Sequence, residues 1–170
     1  AVTAPLLLLD AASPTVFAGL RATQEGPVNW RQTDEEAGVG IFRTTDELLS
    51  EAKLNLEDLG TLVFCDGPGS LLGIRIVAMT LRTWMNLPHA RRWEIFSYPS
   101  LALVAADLIA SGKPAPFHVI SDARRETWNT LAVTDDGVIN EVMRRRSAEL
   151  GDERVPCFTP ESFPVWQQLP

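Results

Sequence analysis

The chain has 170 residues, of which 45% are hydrophobic and 22% are charged, a balance that is typical of a folded globular protein. Its formal net charge of −7 argues against direct binding of nucleic acid, which requires a concentrated basic surface. No apolar run approaches the roughly 18 residues of a membrane span, and two cysteines cannot build a disulfide framework, so we expect a cytoplasmic protein without membrane contact.

The N-terminal part of the chain predicts a meander of three strands followed by a helix. The strands are expected at residues 6–9, 15–21 and 27–33. Helical spacing follows within residues 34–54, and Thr44 or Thr45 is the expected cap because Glu47 then lies in the first turn.

The middle of the chain predicts two strand–helix pairs. The first consists of a strand at Thr61–Cys65, a Gly-Pro-Gly-Ser turn and an apolar helix at residues 71–86. The second consists of a strand at residues 91–98 and a helix within residues 99–114. Further strands and tight turns are predicted in residues 116–143, whereas the proline-rich tail excludes a long regular element.

The predicted element order is βββαβαβα followed by a second run of strands. This order predicts an α/β fold with a mixed sheet, in which an antiparallel meander precedes the crossover helices. Glycine and two prolines interrupt the pattern at residues 111–116. We therefore predict an N-terminal lobe at residues 1–112 and a short, incomplete second lobe at residues 113–170.

Three segments in this order resemble the TsaB (YeaZ) family: LLLLDAASPTVFAGL, DELLSEAKLNLEDLGTLVFCDGPGSLLGIRIVAMTLRTW and HVISDARRETWNTLAV. Together they cover about three quarters of the chain. The motif positions that carry the resemblance are Gly67, Pro68, Gly69, Ser70, Gly73 and Arg75, and then Asp122, Ala123 and Arg124.

The resemblance implies a ribonuclease-H-like, actin/Hsp70-type fold and a role in the threonylcarbamoyladenosine (t6A) modification of tRNA. It also implies a catalytically degenerate subunit that dimerises with a TsaD-like paralogue and meets tRNA only indirectly. ATP then belongs to an interface shared within the complex, and we expect the chain alone to bind no cofactor.

The sequence departs from the family at several polar positions, so it resembles a divergent member. Ala11 and Ala12 stand where the family has Thr and Ser after the first aspartate, Leu72 replaces a threonine, and Ala37 replaces a histidine. The later helix-rich part of the second lobe is also absent from the sequence given. Each departure removes polar chemistry without removing a residue that carries the fold.

The Gly-Pro-Gly-Ser turn has two interpretations. Its N–H groups could bind an anion or nucleotide together with the first aspartate, the candidate residues being Asp10, Gly67, Gly69 and Ser70. However, the lysine of a P-loop is missing and Asp66 adds negative charge. We favour a tight turn in which Ser70 caps the helix.

No catalytic residues or metal ligands are predicted. The two histidines, His89 and His118, are too far apart in sequence for a His-x-x-x-His pair. No nucleophile elbow that would indicate a peptidase is present, and Cys65 in its apolar strand is expected to be a core residue.

The apolar helix 71–86 predicts a partner. On a helical wheel an inner apolar arc can cover the sheet; it holds Gly73, Ile74, Val77, Ala78, Leu81, Trp84 and Met85. An opposite, outer arc needs a second cover; it holds Leu72, Ile76, Met79, Thr80 and Thr83. We predict pairing with another chain through Leu72, Ile76, Met79 and Thr83, with contributions from Leu48 and Ala52. The expected partner is a TsaD-like paralogue, with a homodimer forming in isolation.

Three alternatives stay open at this point. The helix could be buried wholly within its own domain. The chain could be an actin-like kinase or ATPase that uses Asp10 and the 67–70 turn. It could also be an interaction module unrelated to tRNA.

Overall fold

The computed structural model describes residues 2–88 and 93–170. This part of the chain divides into two compact units, of which the first ends at Tyr98 and the second begins at Pro99. Each unit is built around one β-sheet.

The first unit is a five-stranded mixed sheet with two helices. The strands are β1 (Leu6–Asp10), β2 (Val16–Arg21), β3 (Val28–Thr33), β4 (Thr61–Gly67) and β5 (Glu94–Pro99). The helices are α1 (Ala37–Ala52) and α2 (Leu71–Trp84), with a single 3-10 turn at Leu56–Asp58. The strand order is β3-β2-β1-β4-β5, in which β1 pairs antiparallel with β2 and parallel with β4.

Alternating burial along the leucine run of β1 builds the core of this unit. Leu7 and Leu9 point to the buried side, where Ile41 of α1 and Val77 of α2 pack against them in one cluster. The predicted meander, its crossover helices and the α/β class are confirmed. For the strand predicted at residues 91–98, β5 covers the part from Glu94, while residues 91 and 92 lie outside the described residues.

The predicted cap of α1 is wrong. The helix begins at Ala37, so Thr44 and Thr45 are buried in its middle. Gly40 is accommodated early in the helix because it packs closely on β2 and β3; a Cβ added there would lie 2.8 Å from Thr33 Cγ2. Tertiary packing therefore overrides the low helix propensity of glycine at this position.

The second unit is a four-stranded mixed sheet. Its strands are β6 (Phe117–Asp122), β7 (Thr127–Val133), β8 (Ile139–Arg146) and β9 (Cys157–Phe158), in the order β8-β7-β6-β9. Its helices are α3 (Ser100–Ala110) and α4 (Ser147–Glu153). The short α4, which the sequence analysis missed, is held by Glu153, whose carboxylate accepts hydrogen bonds from Arg145.

The boundary between the units lies before α3, whereas the sequence prediction placed it after that helix, at residues 112 and 113. Leu101 and Ala105 of α3 pack against Phe117 and Leu131 in the core of the second unit. The glycine and prolines of residues 111–116 form the loop that joins α3 to β6, and a loop of this composition looks the same in sequence as a linker.

The two sheets share one connectivity. In each, three consecutive strands pair antiparallel, and a fourth strand returns after a helix to lie parallel to the first. The first unit continues with α2 and β5, and these elements carry the candidate site described next.

Candidate functional site

Two turns meet where β1 and β4 end. Because these strands are parallel neighbours, the turn after Asp10 and the turn at 67–70 emerge on the same edge of the sheet. The structure therefore brings together all four residues of the predicted anion site: Asp10, Gly67, Gly69 and Ser70. The question is whether their polar groups remain available to a ligand.

Both carboxylate oxygens of Asp10 have protein partners. Oδ1 accepts a hydrogen bond from the backbone N–H of Ala12 at 2.8 Å, and Oδ2 accepts one from the hydroxyl of Tyr98 at 2.7 Å. The first contact holds the turn after β1, as expected of an aspartate followed by a tight turn. The second ties the turn to β5.

The glycine turn packs its backbone directly against the Ala11–Ala12 turn. The Ser70 N–H donates to the Ala12 carbonyl at 2.6 Å. A Cβ added at Gly69 would lie 2.2 Å from the Ala12 carbonyl oxygen, and one added at Gly73 would lie 1.9 Å from that of Ala11. These two glycines therefore permit a close contact between backbones.

Ser70 caps α2, as predicted. Its side-chain oxygen accepts a hydrogen bond from the Gly73 N–H at 3.2 Å. Gly67, with φ of +102°, supplies the conformation that lets the chain leave β4. The Ser70 N–H, which an anion would need, already has the Ala12 carbonyl as its acceptor.

The interior beneath the turns favours neutral groups. Cys65 is buried, and the pKa of its thiol is raised to about 12. The larger cause is burial, and the next is the negative charge of the Asp10 carboxylate. The same two causes raise the pKa of the Tyr98 phenol above its ordinary range. Both groups stay protonated at neutral pH, which agrees with the assignment of Cys65 to the core rather than to a nucleophile.

No group of three or more His, Cys, Asp or Glu side chains that could hold a metal ion occurs within residues 2–88 and 93–170. His118 lies in β6 and its Nε2 is 2.9 Å from Glu153 Oε2, so it has a structural contact. His89 lies outside the described residues.

The outward side of α2 is apolar and exposed. Leu72 is 65% and Met79 is 68% exposed, and Thr83 is exposed on the same helix. We call these three residues the α2 outer face. Ile76, which the sequence predicted as a fourth member, is half-buried and packs against the core of the first unit.

Leu48 was wrongly assigned to the pairing surface. It is 1% exposed because it lies on the side of α1 that packs on the sheet. Ala52 is half-buried against the same core. The sequence analysis instead missed Val39 and Phe42 of α1, which are exposed. Their spacing from the buried Ile41 and Leu48 could have placed them on the outer side of the helix.

The wheel assignment of α2 also needs a correction. Gly73, Val77, Leu81 and Trp84 are buried as predicted, but Thr80 is buried with them rather than lying on the outer arc. Ala78 and Met85, assigned to the inner arc, are exposed. The buried stripe is therefore rotated toward Thr80 because α2 packs on α1 as well as on the sheet.

The Asp122 motif of the second unit forms a turn that binds the C-terminal tail. Asp122 Oδ1 accepts from the Arg124 N–H at 2.7 Å, and its Oδ2 accepts from the Trp166 N–H at 2.8 Å. The Arg124 guanidinium stacks 3.4 Å above the centre of the Trp166 ring. Arg75, the remaining motif residue, is exposed on α2.

No protein-family model and no curated protein sequence matches the chain. Solved structures do. YeaZ from Pseudomonas aeruginosa superposes with a TM-score of 0.68 at 19% identity, covering 88% of this chain and 68% of that one. The fold is that of YeaZ. A second structure, an uncharacterized protein with similarity to peptidase YeaZ from Pseudomonas aeruginosa, gives a TM-score of 0.65 at 19% identity over 84% of this chain and 66% of that one.

These comparisons confirm the predicted resemblance at the level of fold. The chain is divergent in sequence but YeaZ-like in structure, and the predicted α/β class with a mixed sheet is confirmed. It spans about two thirds of the length of the two solved proteins. Within the described residues, no helix has the length and apolar character needed to cross a membrane.

The glycine contact predicts a large loss of stability for Gly73→Ala. The added methyl group overlaps the Ala11 carbonyl, so the two turns must separate, and we expect a loss of about 2–3 kcal/mol in the free energy of unfolding. Gly38→Ala is the matched control in α1, since its Cβ meets only the flexible end of Glu36 and alanine favours helix. Urea titrations would contradict the account if Gly73→Ala unfolded at or above the wild-type midpoint.

Tyr98 is the only tyrosine in the chain, so tyrosinate absorbance reports on it alone. Because its pKa is raised above the ordinary 10.0, the folded state holds the proton more tightly, and this contribution to stability is lost as pH rises above about 10. We expect no tyrosinate signal before unfolding. Asp10→Asn should bring ionisation to lower pH by removing the second cause of the shift. Ionisation at pH 10 in the folded wild-type protein would contradict the contact.

Proposed function

We propose that this chain is a non-catalytic, YeaZ-like partner subunit that pairs with a TsaD-like protein in the t6A modification of tRNA. The observation that carries the proposal is the α2 outer face, where Leu72 and Met79 are exposed on the side of the helix opposite its buried stripe. The YeaZ fold supports the choice of process.

The energy of exposed apolar side chains supports a pairing role. Each leucine or methionine that is left in water forgoes roughly 1.5–3 kcal/mol of burial free energy. Leu72 and Met79 are seven residues apart in α2, about two helical turns, so their exposed side chains lie on the same side of the helix. Exposed apolar surface of this kind is typical of a protein–protein interface.

The geometry of the two turns supports a non-catalytic role. An actin-like ATPase needs polar groups in these turns that can wrap phosphates. Here the Ser70 N–H and both Asp10 oxygens are used within the protein, and Ala11 and Ala12 carry no hydroxyl. Any ATP is therefore assigned to an interface shared with the partner, and tRNA is contacted through the partner because the chain is acidic.

Substitution of two exposed methionines tests whether the chain pairs with a TsaD-like protein through the α2 outer face. Met79→Glu places a charge on the α2 outer face and should weaken binding to a TsaD-like paralogue at least tenfold. Met143→Glu is the control, since Met143 is 65% exposed on β8 of the second unit, close to the 68% of Met79. Isothermal calorimetry gives both affinities, and sedimentation of the chain alone should show a homodimer that only Met79→Glu disrupts.

Purification from the native cell tests the identity of the partner. Recovery of a TsaD-like protein with the wild-type chain, and its loss with Met79→Glu, is the expected result. Its absence would favour an interaction module unrelated to tRNA. Micromolar binding and turnover of Mg-ATP by the chain alone would instead favour the ATPase alternative.

A further inference from the structure

A groove of about 650 Å³ lies along α1 in the first unit, in the size range of small-molecule sites. Phe42, Thr45, Asp46 and Leu49 line one wall. These positions are spaced i, i+3, i+4 and i+7, so they share one face of the helix. Trp84, at the end of α2, also lines the groove.

The apolar part of the groove has an aromatic corner. The rings of Phe42 and Trp84 are T-shaped, with centroids 6.2 Å apart and an interplanar angle of 77°. Phe42 is 50% exposed, so its ring offers a surface against which a planar ring can pack and to which a cation is attracted, while Trp84 lies buried beside it. Leu49 extends the apolar surface beside them.

The groove also contains a buried hydroxyl without a partner. Thr45 is 4% exposed, and its Oγ1 has no hydrogen-bond partner in the part of the chain that the structure describes. The neighbouring Thr44 shows the usual solution for a threonine inside a helix, since its hydroxyl donates to the Gly40 carbonyl at 2.7 Å. Burial of a hydroxyl without such a contact is unfavourable, so a ligand gains affinity when the Thr45 side chain rotates its hydroxyl toward the groove to meet it.

The uncompensated charge of the groove is negative. Arg43 is held by Glu35 and Glu47. The Asp46 carboxylate, by contrast, has no ion pair or hydrogen bond to any described residue. Its carboxylate is therefore free to pair with a ligand, next to the unpartnered Thr45 hydroxyl.

We propose that this groove binds a small aromatic cation, meaning a planar ring that bears an amidinium or protonated amine group. The ring packs in the corner of Phe42 and Trp84, and the cationic N–H groups donate to the Thr45 hydroxyl and the Asp46 carboxylate. The site lies entirely within the first unit, and the proposal does not depend on the proposed function.

Benzamidine is the probe, and benzamide and benzoate are its neutral and anionic controls of similar shape. In a titration followed by ¹H–¹⁵N correlation spectra of the full chain, benzamidine should shift the Trp84 indole and the Thr45 and Leu49 amides. Saturation is expected with a dissociation constant on the order of 1 mM. Benzamide should bind about tenfold more weakly, because a neutral amide gains less from a carboxylate, and benzoate should not saturate.

Two variants test the polar contacts. Asp46→Asn should weaken benzamidine binding about threefold, and Thr45→Val, which preserves the shape of the side chain, about fivefold. Asp135→Asn, at an exposed site in the second unit, changes the net charge equally and should have no effect. For each variant, a ligand-free spectrum that matches the wild-type spectrum serves as the check on folding.

The proposal is overturned if benzamidine and benzoate give equal shifts, if the shifts map outside the groove, or if Asp46→Asn and Asp135→Asn bind benzamidine alike. None of these results bears on binding to a TsaD-like protein, so the two proposals fail independently.

Discussion

The close contact between two backbone turns is the constraint on which the first unit depends. Ala11 and Ala12 after β1 approach the glycine turn after β4 so closely that neither Gly69 nor Gly73 can carry a side chain. The Ser70 N–H donates across this contact, and the following helix, α2, starts from it. The turns therefore fix where α2 starts over the sheet, and its packing on α1 and the sheet sets which side faces solvent.

The same contact gives the glycine-rich motif a packing role of its own. A glycine-rich turn before a helix is often interpreted as a phosphate cradle. Here its glycines make room for the Ala11 and Ala12 backbone, and the adjacent Asp10 is engaged by Tyr98. Replacement of polar residues by alanine in the first turn is compatible with this packing, because small side chains fit where the turns meet.

Local pattern predicted most of the fold, whereas tertiary packing set the details that it missed. Apolar runs bounded by turn residues located the strands, and Ser70 was identified as a cap from its position alone. The start of α1 was misplaced because the packing of Gly40 on β2 and β3 is not visible in sequence. Leu48 was misassigned for a related reason, since a wheel shows which residues share a face but not which face meets the sheet. The contacts of Asp10 with Tyr98, 88 residues away, left no local signal.

Amide hydrogen exchange at Ser70 tests the central contact most directly. Because this N–H donates to the Ala12 carbonyl, the account predicts strong protection in the free protein and no change on addition of Mg-ATP. Rapid exchange in the free protein, together with protection by Mg-ATP, would contradict the account. That result would mean that the turn holds its N–H open for a phosphate.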